Sequence, residues 1–377
     1  MTEGGASLTP LQADLLRATF GADEAAVAAW RRWRDAIDWE AHLDHDAFRL
    51  LPRTYGNLRR HDVADPLLPR LKGIARQAWY ANQVRLRSYQ PVLRAFASSG
   101  IDVLILPPMA VLIEDATAVI SPEVPLTCAV RGLEAARAVR WLRGADWRTW
   151  VPVPRWSLDG YVLAADRLLW RHVSGPTLEL LWQSDAGDRS GRFPDEVWAR
   201  AVPAQLSSEP VLALDAADAV HDLCRQPVGA DAFGRIVDLL FLLDATPATL
   251  EWRRFTSRAR EAPIAAGWRR LFGDVREVLP LLVPATVVDD WPTTCPRQVP
   301  AAATGGVYHR IAAQWSTYRR SLGDRHSVVG ALRELPGYLM ARWQLPALGR
   351  VPLRVVLGLR YEWRNARRGS PGNEPRR

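Results

Sequence analysis

Apolar residues recur at three- and four-residue spacing through the first hundred positions, the period of helices that bury one face. The pattern predicts helices over 8–19 and 23–33, with Thr9 and Asp23 as caps, and Trp30 and Trp33 share a helical face. It continues through 37–43 and 47–58 and then over 67–98, where Leu71, Ile74, Ala78, Trp79, Leu86, Tyr89, Leu93 and Phe96 form one stripe. Pro91 lies inside that last stretch; its missing N–H and bulky ring predict a kink or a division there.

Beyond Gly100 the period changes. Residues 101–106 are a short β-branched and aliphatic run, long enough for a buried strand and too short for a helix. A tight turn and the first turns of a helix over 109–113 follow, then the breakers Pro122 and Pro125, a second strand over 126–130 and a helix over 133–143. From Trp147 the pattern alternates over 147–153, 156–158, 161–164, 168–173 and 177–182, with turn residues at Asp159-Gly160, Asp166 and Ser174-Gly175-Pro176. Such runs predict an antiparallel meander. From Pro194 helical spacing returns over 194–201, 213–225, 231–243, 246–262, 264–271 and 275–282.

The expectation is an α+β fold: a small mixed or antiparallel sheet surrounded by N-terminal and C-terminal helical regions. Its expected divisions are a helical region over 1–98, a sheet core over 99–190, a helical region closing a cleft over 191–283, and an irregular linker over 284–306 rich in Pro, Thr and Ala. Closing helices over 307–366 and a disordered tail over 367–377 complete the chain. The last helix pairs Val355, Val356, Leu359 and Trp363 with Arg354, Arg360, Arg364, Arg367 and Arg368; it reads first as a packed helix with a solvated basic face, and second as a basic amphipathic end for an anionic membrane or an acidic partner.

At 377 residues and 48% hydrophobic, the chain can fill one large or two modest cores. Its net charge is +8, and the 49 basic residues include a single lysine, Lys72. Guanidinium suits phosphate and carboxylate partners, yet a GC-rich coding bias produces the same excess of Arg. No nucleic-acid motif is present, so nucleic acid is not an expected partner. Cys128, Cys224 and Cys295 lie far apart with no His at ligand spacing, which indicates neither a disulfide framework nor a zinc site. No apolar run is long enough to span a bilayer and no secretory leader is recognisable, so a cytoplasmic location is expected.

The order of long helix, strand, turn, helix and strand resembles an uncharacterised family of bacterial nucleotidyltransferase-like proteins. The family's first strand ends in Leu-Lys-Gly, where this chain has Leu106-Pro107-Pro108, and its second carries Asp-x-Asp-Leu-Leu-Val, where this chain has Pro125 and Thr127 for the two Asp. A third strand carries an acid two residues before His and Trp; here Glu179, Leu181 and Trp182 stand in those places. Leu51, Pro52, Tyr55 and Leu58, the polar Asn82, a His near His45, His221 with Asp222, and Arg235 with Asp238 also follow the family pattern. Metal-dependent transfer needs two carboxylates on one face of a strand to hold Mg²⁺ against phosphate, and a turn with free N–H groups. Pro and Thr supply neither.

Three readings follow from the resemblance. The first is a nucleotidyltransferase-like protein without metal-dependent transfer, binding a small-molecule or peptide ligand or a pathway protein through the old cleft, in peptide natural-product or polysaccharide biosynthesis. The second is a metal-independent tailoring enzyme, with Glu179 and His172 as candidate catalytic residues and Glu114, Asp115, Glu123, Thr127 and Asp238 as candidate ligand-binding residues. The third keeps Mg²⁺ and a nucleoside triphosphate, with carboxylates recruited from Glu114, Asp115 or Glu123. No protein metal ligands are assigned otherwise. Asp238, in an apolar helix, is most simply a buried partner of an Arg.

Overall fold

The architecture comes from a computed structural model, which describes residues 8–22, 24–40, 43–120, 124–149, 158, 161–162, 165–182, 193–226, 228, 232–245, 250–261, 264, 267–289, 291, 335 and 338. Of the expected irregular linker over 284–306, Ala285–Asp289 is instead helical, burying Val287; its part beyond 291 and the closing helices fall outside these residues, apart from Leu335 and Tyr338, which are helical.

In chain order the elements begin with α1 (Pro10–Phe20), α2 (Glu24–Ala36), α3 (His45–Arg60), α4 (Leu68–Ser98), β1 (Leu104–Ile105), α5 (Val111–Glu114) and β2 (Leu126–Val130). They continue with α6 (Gly132–Gly144), β3 (Trp147–Thr149), β4 (Arg167–His172) and β5 (Thr177–Trp182). Then come α7 (Asp195–Arg200), β6 (Val202–Leu206), β7 (Glu209–Ala213), α8 (Ala216–Cys224), α9 (Ala232–Ala245), α10 (Trp252–Glu261), α11 (Trp268–Val278) and α12 (Ala285–Asp289). The strands form a seven-stranded mixed sheet in the order β3-β4-β5-β2-β1-β7-β6, so the fold is α+β. Two compact units result, one of Met1–Ala129, Pro176–Leu178 and Arg192–Pro296, the other of Val130–Gly175, Glu179–Gly191 and Arg297–Arg377.

In the first unit, α1 starts where Thr9 and Gln12 bond reciprocally to each other's backbone N–H groups, a capping box that satisfies two donors at once. Trp30, Trp33 and Trp39 cluster with ring centroids 5.7 to 6.2 Å apart. The Trp30 indole donates to Asp65 at 2.8 Å, where Arg34 also pairs at 2.6 Å. Burial pushes the Asp65 carboxyl up, but the donors from Leu67 N–H, Trp30 and Arg34 outweigh it and hold the group below the usual carboxylate range.

The long helix α4 is undivided, with Pro91 inside it. Tyr89, Val92, Leu93 and Phe96 are all buried around that proline, and their packing holds both sides of the gap in register. β1 pairs antiparallel with β2, Leu104 opposite Ala129, and parallel with β7, Leu104 opposite Leu212. β6 and β7 are a hairpin that the alternation did not predict. Its loop is Ser207-Ser208, both at positive φ (53° and 67°), the backbone that a two-residue turn between twisted strands demands. Gln90 and Arg94 of α4 donate to the buried Glu209 carboxylate at 2.7 to 3.1 Å and tie the hairpin to the helix. Where two helices were expected over 264–271 and 275–282, α11 runs unbroken through Gly273; a Cβ there would meet nothing within 4 Å, so the glycine costs helix propensity without marking a close contact.

In the second unit, β3 and β4 pair antiparallel, with Trp147 opposite His172. The strands expected over 156–158 and 161–164 are not what forms: Leu158, Tyr161 and Val162 are helical. All three are buried at positions i, i+3 and i+4, so their spacing serves a helix as well as a strand. The Trp182 indole donates to the Val162 carbonyl at 2.9 Å.

Candidate functional site

The site is sought where β1 runs into α5 and on to β2. Leu104, Ile105 and Leu106 are fully buried aliphatic residues, and the Leu106 N–H donates to the Thr127 carbonyl at 3.0 Å, extending the ladder. Pro107 and Pro108, joined by a cis peptide bond, bring no N–H. Beyond Met109 the donors are spent within the turn: Ala110 to Leu106 at 3.2 Å, Val111 to Pro108, Leu112 to Met109 and Ile113 to Ala110, each at 3.1 Å. A phosphate-binding turn works by leaving such groups free at a helix start, and here they close on their own carbonyls.

The carboxylate positions are equally committed. Pro125 stands just before β2, and Thr127 is buried within it. Asp115 accepts from the Thr117 N–H at 2.8 Å and hydroxyl at 2.6 Å, a local turn in which the side chain stands in for backbone. Glu114 ends α5, and Glu123 lies outside the described residues.

The segment between α5 and β2 is fixed by side chains from α3 and α4. Asn82 donates to the Ala116 and Ala118 carbonyls at 3.0 and 2.8 Å, Arg49 to Val119 at 3.0 Å, and Arg85 to Ile120 at 3.4 Å and to Val124. Five carbonyls of an irregular stretch thus find donors, which explains the burial of Asn82 and Arg49. Arg49 also pairs with Asp46 at 3.0 Å and with Asp238. Burial works against the Arg49 charge, and Asp238 and Asp46 more than offset it, so the guanidinium is held above its ordinary value. Asp238 therefore lies in a salt-bridged seam with Arg49 and, at 3.9 Å, Arg235. A second pair, Arg53 with Asp244 at 2.5 Å, continues it one turn along. Arg49 and Arg53 carried no signal in isolation; only the Asp46, Arg49 and Arg53 spacing along α3 hints at a charged ridge.

Glu179 and His172 belong to the second unit. Glu179 faces Arg167 at 3.6 Å. His172 accepts at Nδ1 from the Ser174 N–H at 3.2 Å and shares a 2.7 Å hydrogen bond with the Ser174 hydroxyl, while its ring packs 5.1 Å from Trp147. An Nδ1 that accepts from a backbone donor places the neutral ring's proton on Nε2. Leu181 is buried.

Neither Mg²⁺ nor a nucleoside triphosphate, the groups implied by the resemblance, fits these residues. Among the described residues no three His, Cys, Asp or Glu side chains converge as a metal would require. Cys128 and Cys224 are buried and in no disulfide, and burial, with Asp222 nearby, pushes the Cys224 thiol far above its usual value. No helix of the described residues is long and apolar enough to cross a membrane.

No protein-family model matches this chain, and no curated protein matches it. The site therefore has to be judged on its geometry.

Proposed function

We propose that this chain is a nucleotidyltransferase-like protein that has relinquished metal-dependent transfer and serves as a binding component, taking a small-molecule or peptide ligand or a protein of the same biosynthetic route. The observation that carries this reading is the turn from Leu106 to Ile113, whose backbone donors are absent at two prolines and internally bonded from Ala110 to Ile113. Asp115 spends its carboxylate on Thr117, and Thr127 stands where a metal ligand would be needed. A cleft of this type can hold a ligand through shape and a few polar groups, without handling the charge that develops in phosphoryl transfer.

The test is calorimetric titration of the full chain with Mg²⁺-ATP, together with transfer assays using α-labelled ATP, GTP, CTP and UTP. No labelled acceptor and no binding below millimolar concentration is the expected result. Micromolar binding of any Mg²⁺-NTP with transfer of label overturns the reading.

A further inference from the structure

The outward side of α4 is unlike the rest of the described surface. Trp79 is 48% exposed, Tyr80 66% and Val84 54%, three of the few large apolar side chains that the described residues leave open to solvent. Around them stand Lys72, Arg76 and Arg87, all exposed and none ion-paired among the described residues. Other arginines of the helix are occupied: Arg70 packs 5.4 Å over Trp39, Arg85 holds the loop carbonyls, and Arg94 pairs with Glu209. The 31-residue helix contains no Asp or Glu, so nothing on it neutralises the open cations.

Spacing makes these residues one surface. Positions 72, 76, 80, 84 and 87 follow one another at three and four residues, which places them in line along one side of the helix over about 22 Å. Gly73 lies beside the line, and a Cβ on it would meet nothing within 4 Å, leaving a shallow gap between Lys72 and Arg76 into which a neighbour can lean. A convex, rod-like surface of this form suits another helix laid along it, packed at 8 to 10 Å between axes, rather than an extended strand that needs a sheet edge. Its aromatic residues are the type that dominate interface energy.

We propose that this side of α4 docks an acidic amphipathic helix of a partner protein, apolar residues against Trp79, Tyr80 and Val84 and carboxylates against Lys72, Arg76 and Arg87. Charge selects the occupant: the three cations need an anionic counterpart, and the interleaved apolar groups need a counterpart that also buries hydrocarbon. The inference is independent of the reading given to the β1 to α5 turn, because it uses no residue of that turn.

The experiment places the photoreactive residue p-benzoylphenylalanine at Tyr80 in the full chain, expressed in its native host, and sequences the crosslinked peptide. A crosslink to an Asp- and Glu-rich helical segment of another protein is expected, with a yield that drops roughly tenfold when Arg76→Glu and Arg87→Glu are added. These exposed changes leave the circular dichroism spectrum unaltered. A synthetic peptide of the captured segment then binds the unmodified chain and loses affinity with rising salt. Crosslinks to RNA, to lipid, to a second copy or to this chain itself overturn the proposal, as does a yield indifferent to charge reversal or no crosslink at all.

Discussion

Replacing Asp238 by Ala tests whether this carboxylate is a structural partner or a ligand group. Its side chain is 11% exposed and that of Arg49 7%, so the pair is largely out of water. Removing one member of a buried pair usually costs about 3 to 5 kcal/mol, because the other charge is left uncompensated. Here Asp46 still faces Arg49 at 3.0 Å and the Val119 carbonyl still accepts from it, so the expected loss sits lower, at about 2 to 3 kcal/mol. For a unit of this size that corresponds to a fall in Tm of about 5 to 10 °C. Arg49→Ala takes the shared cation from Asp46 and Asp238, leaving Asp238 only the longer pairing with Arg235, and releases the loop at Val119; it should cost about 4 kcal/mol. The double change Arg49→Met with Asp238→Leu should recover part of the loss, since an apolar pair of similar volume carries no desolvation penalty while Asp46 and the Val119 carbonyl still lose their donor. Urea unfolding followed by circular dichroism and tryptophan fluorescence, arranged as a double-mutant cycle, gives the coupling; about 2 kcal/mol is expected. A shift below 1 °C for Asp238→Ala, or a variant of full stability that no longer binds the protein's ligand, would refute the structural assignment.

Three further outcomes can be checked on the same preparations. The Asp65 carboxyl is held below its unfolded value, so its contribution is fully present above about pH 4 and disappears as pH falls through the folded value; Asp65→Asn should flatten the acid limb of a Tm-against-pH profile and lower Tm at neutral pH. Asp274 runs the opposite way: burial, with Glu277 adding to it and Arg270 opposing, raises its carboxyl, and its Oδ2 has no partner among the described residues. Its ionised form therefore opposes folding as pH rises, and Asp274→Asn should raise the urea midpoint at pH 7. Changing Ser207→Asn and Ser208→Gly supplies residues that accept positive φ and should raise stability by about 1 kcal/mol; a loss instead would mean that the loop is not the turn its dihedrals describe.

Much of the architecture follows from periodicity alone. The boundaries of α4, β2 and β5 fall within a residue of where the apolar spacing puts them, because each is a long or fully buried run bounded by Gly or Pro. The hairpin of β6 and β7 escaped for a physical reason: Pro203 and Pro210 are residues that sheets tolerate only at edges or bulges, and Ser-Ser is a poor announcement of a turn that Asn-Gly would have made obvious. The site was legible only in its substitutions. Pro107, Pro108, Pro125 and Thr127 can be read from the chain, whereas the commitment of Arg49 to Asp238, 189 residues apart, and of Asn82 and Arg85 to loop carbonyls is a product of folding that no local spacing encodes.

The inner side of α4 has a consequence for how the protein is made. Its polar groups wait for partners that the ribosome has not yet produced: Asn82 needs residues 34 to 36 positions on, Tyr89 a carbonyl 88 on, and Arg94 a carboxylate 115 on. At about 5 to 20 residues per second, the last of these arrives roughly 6 to 23 seconds after Arg94 itself. During that interval the nascent helix presents an unfilled apolar stripe beside unanswered donors, and synthesis speed between codons 94 and 209 becomes a determinant of yield.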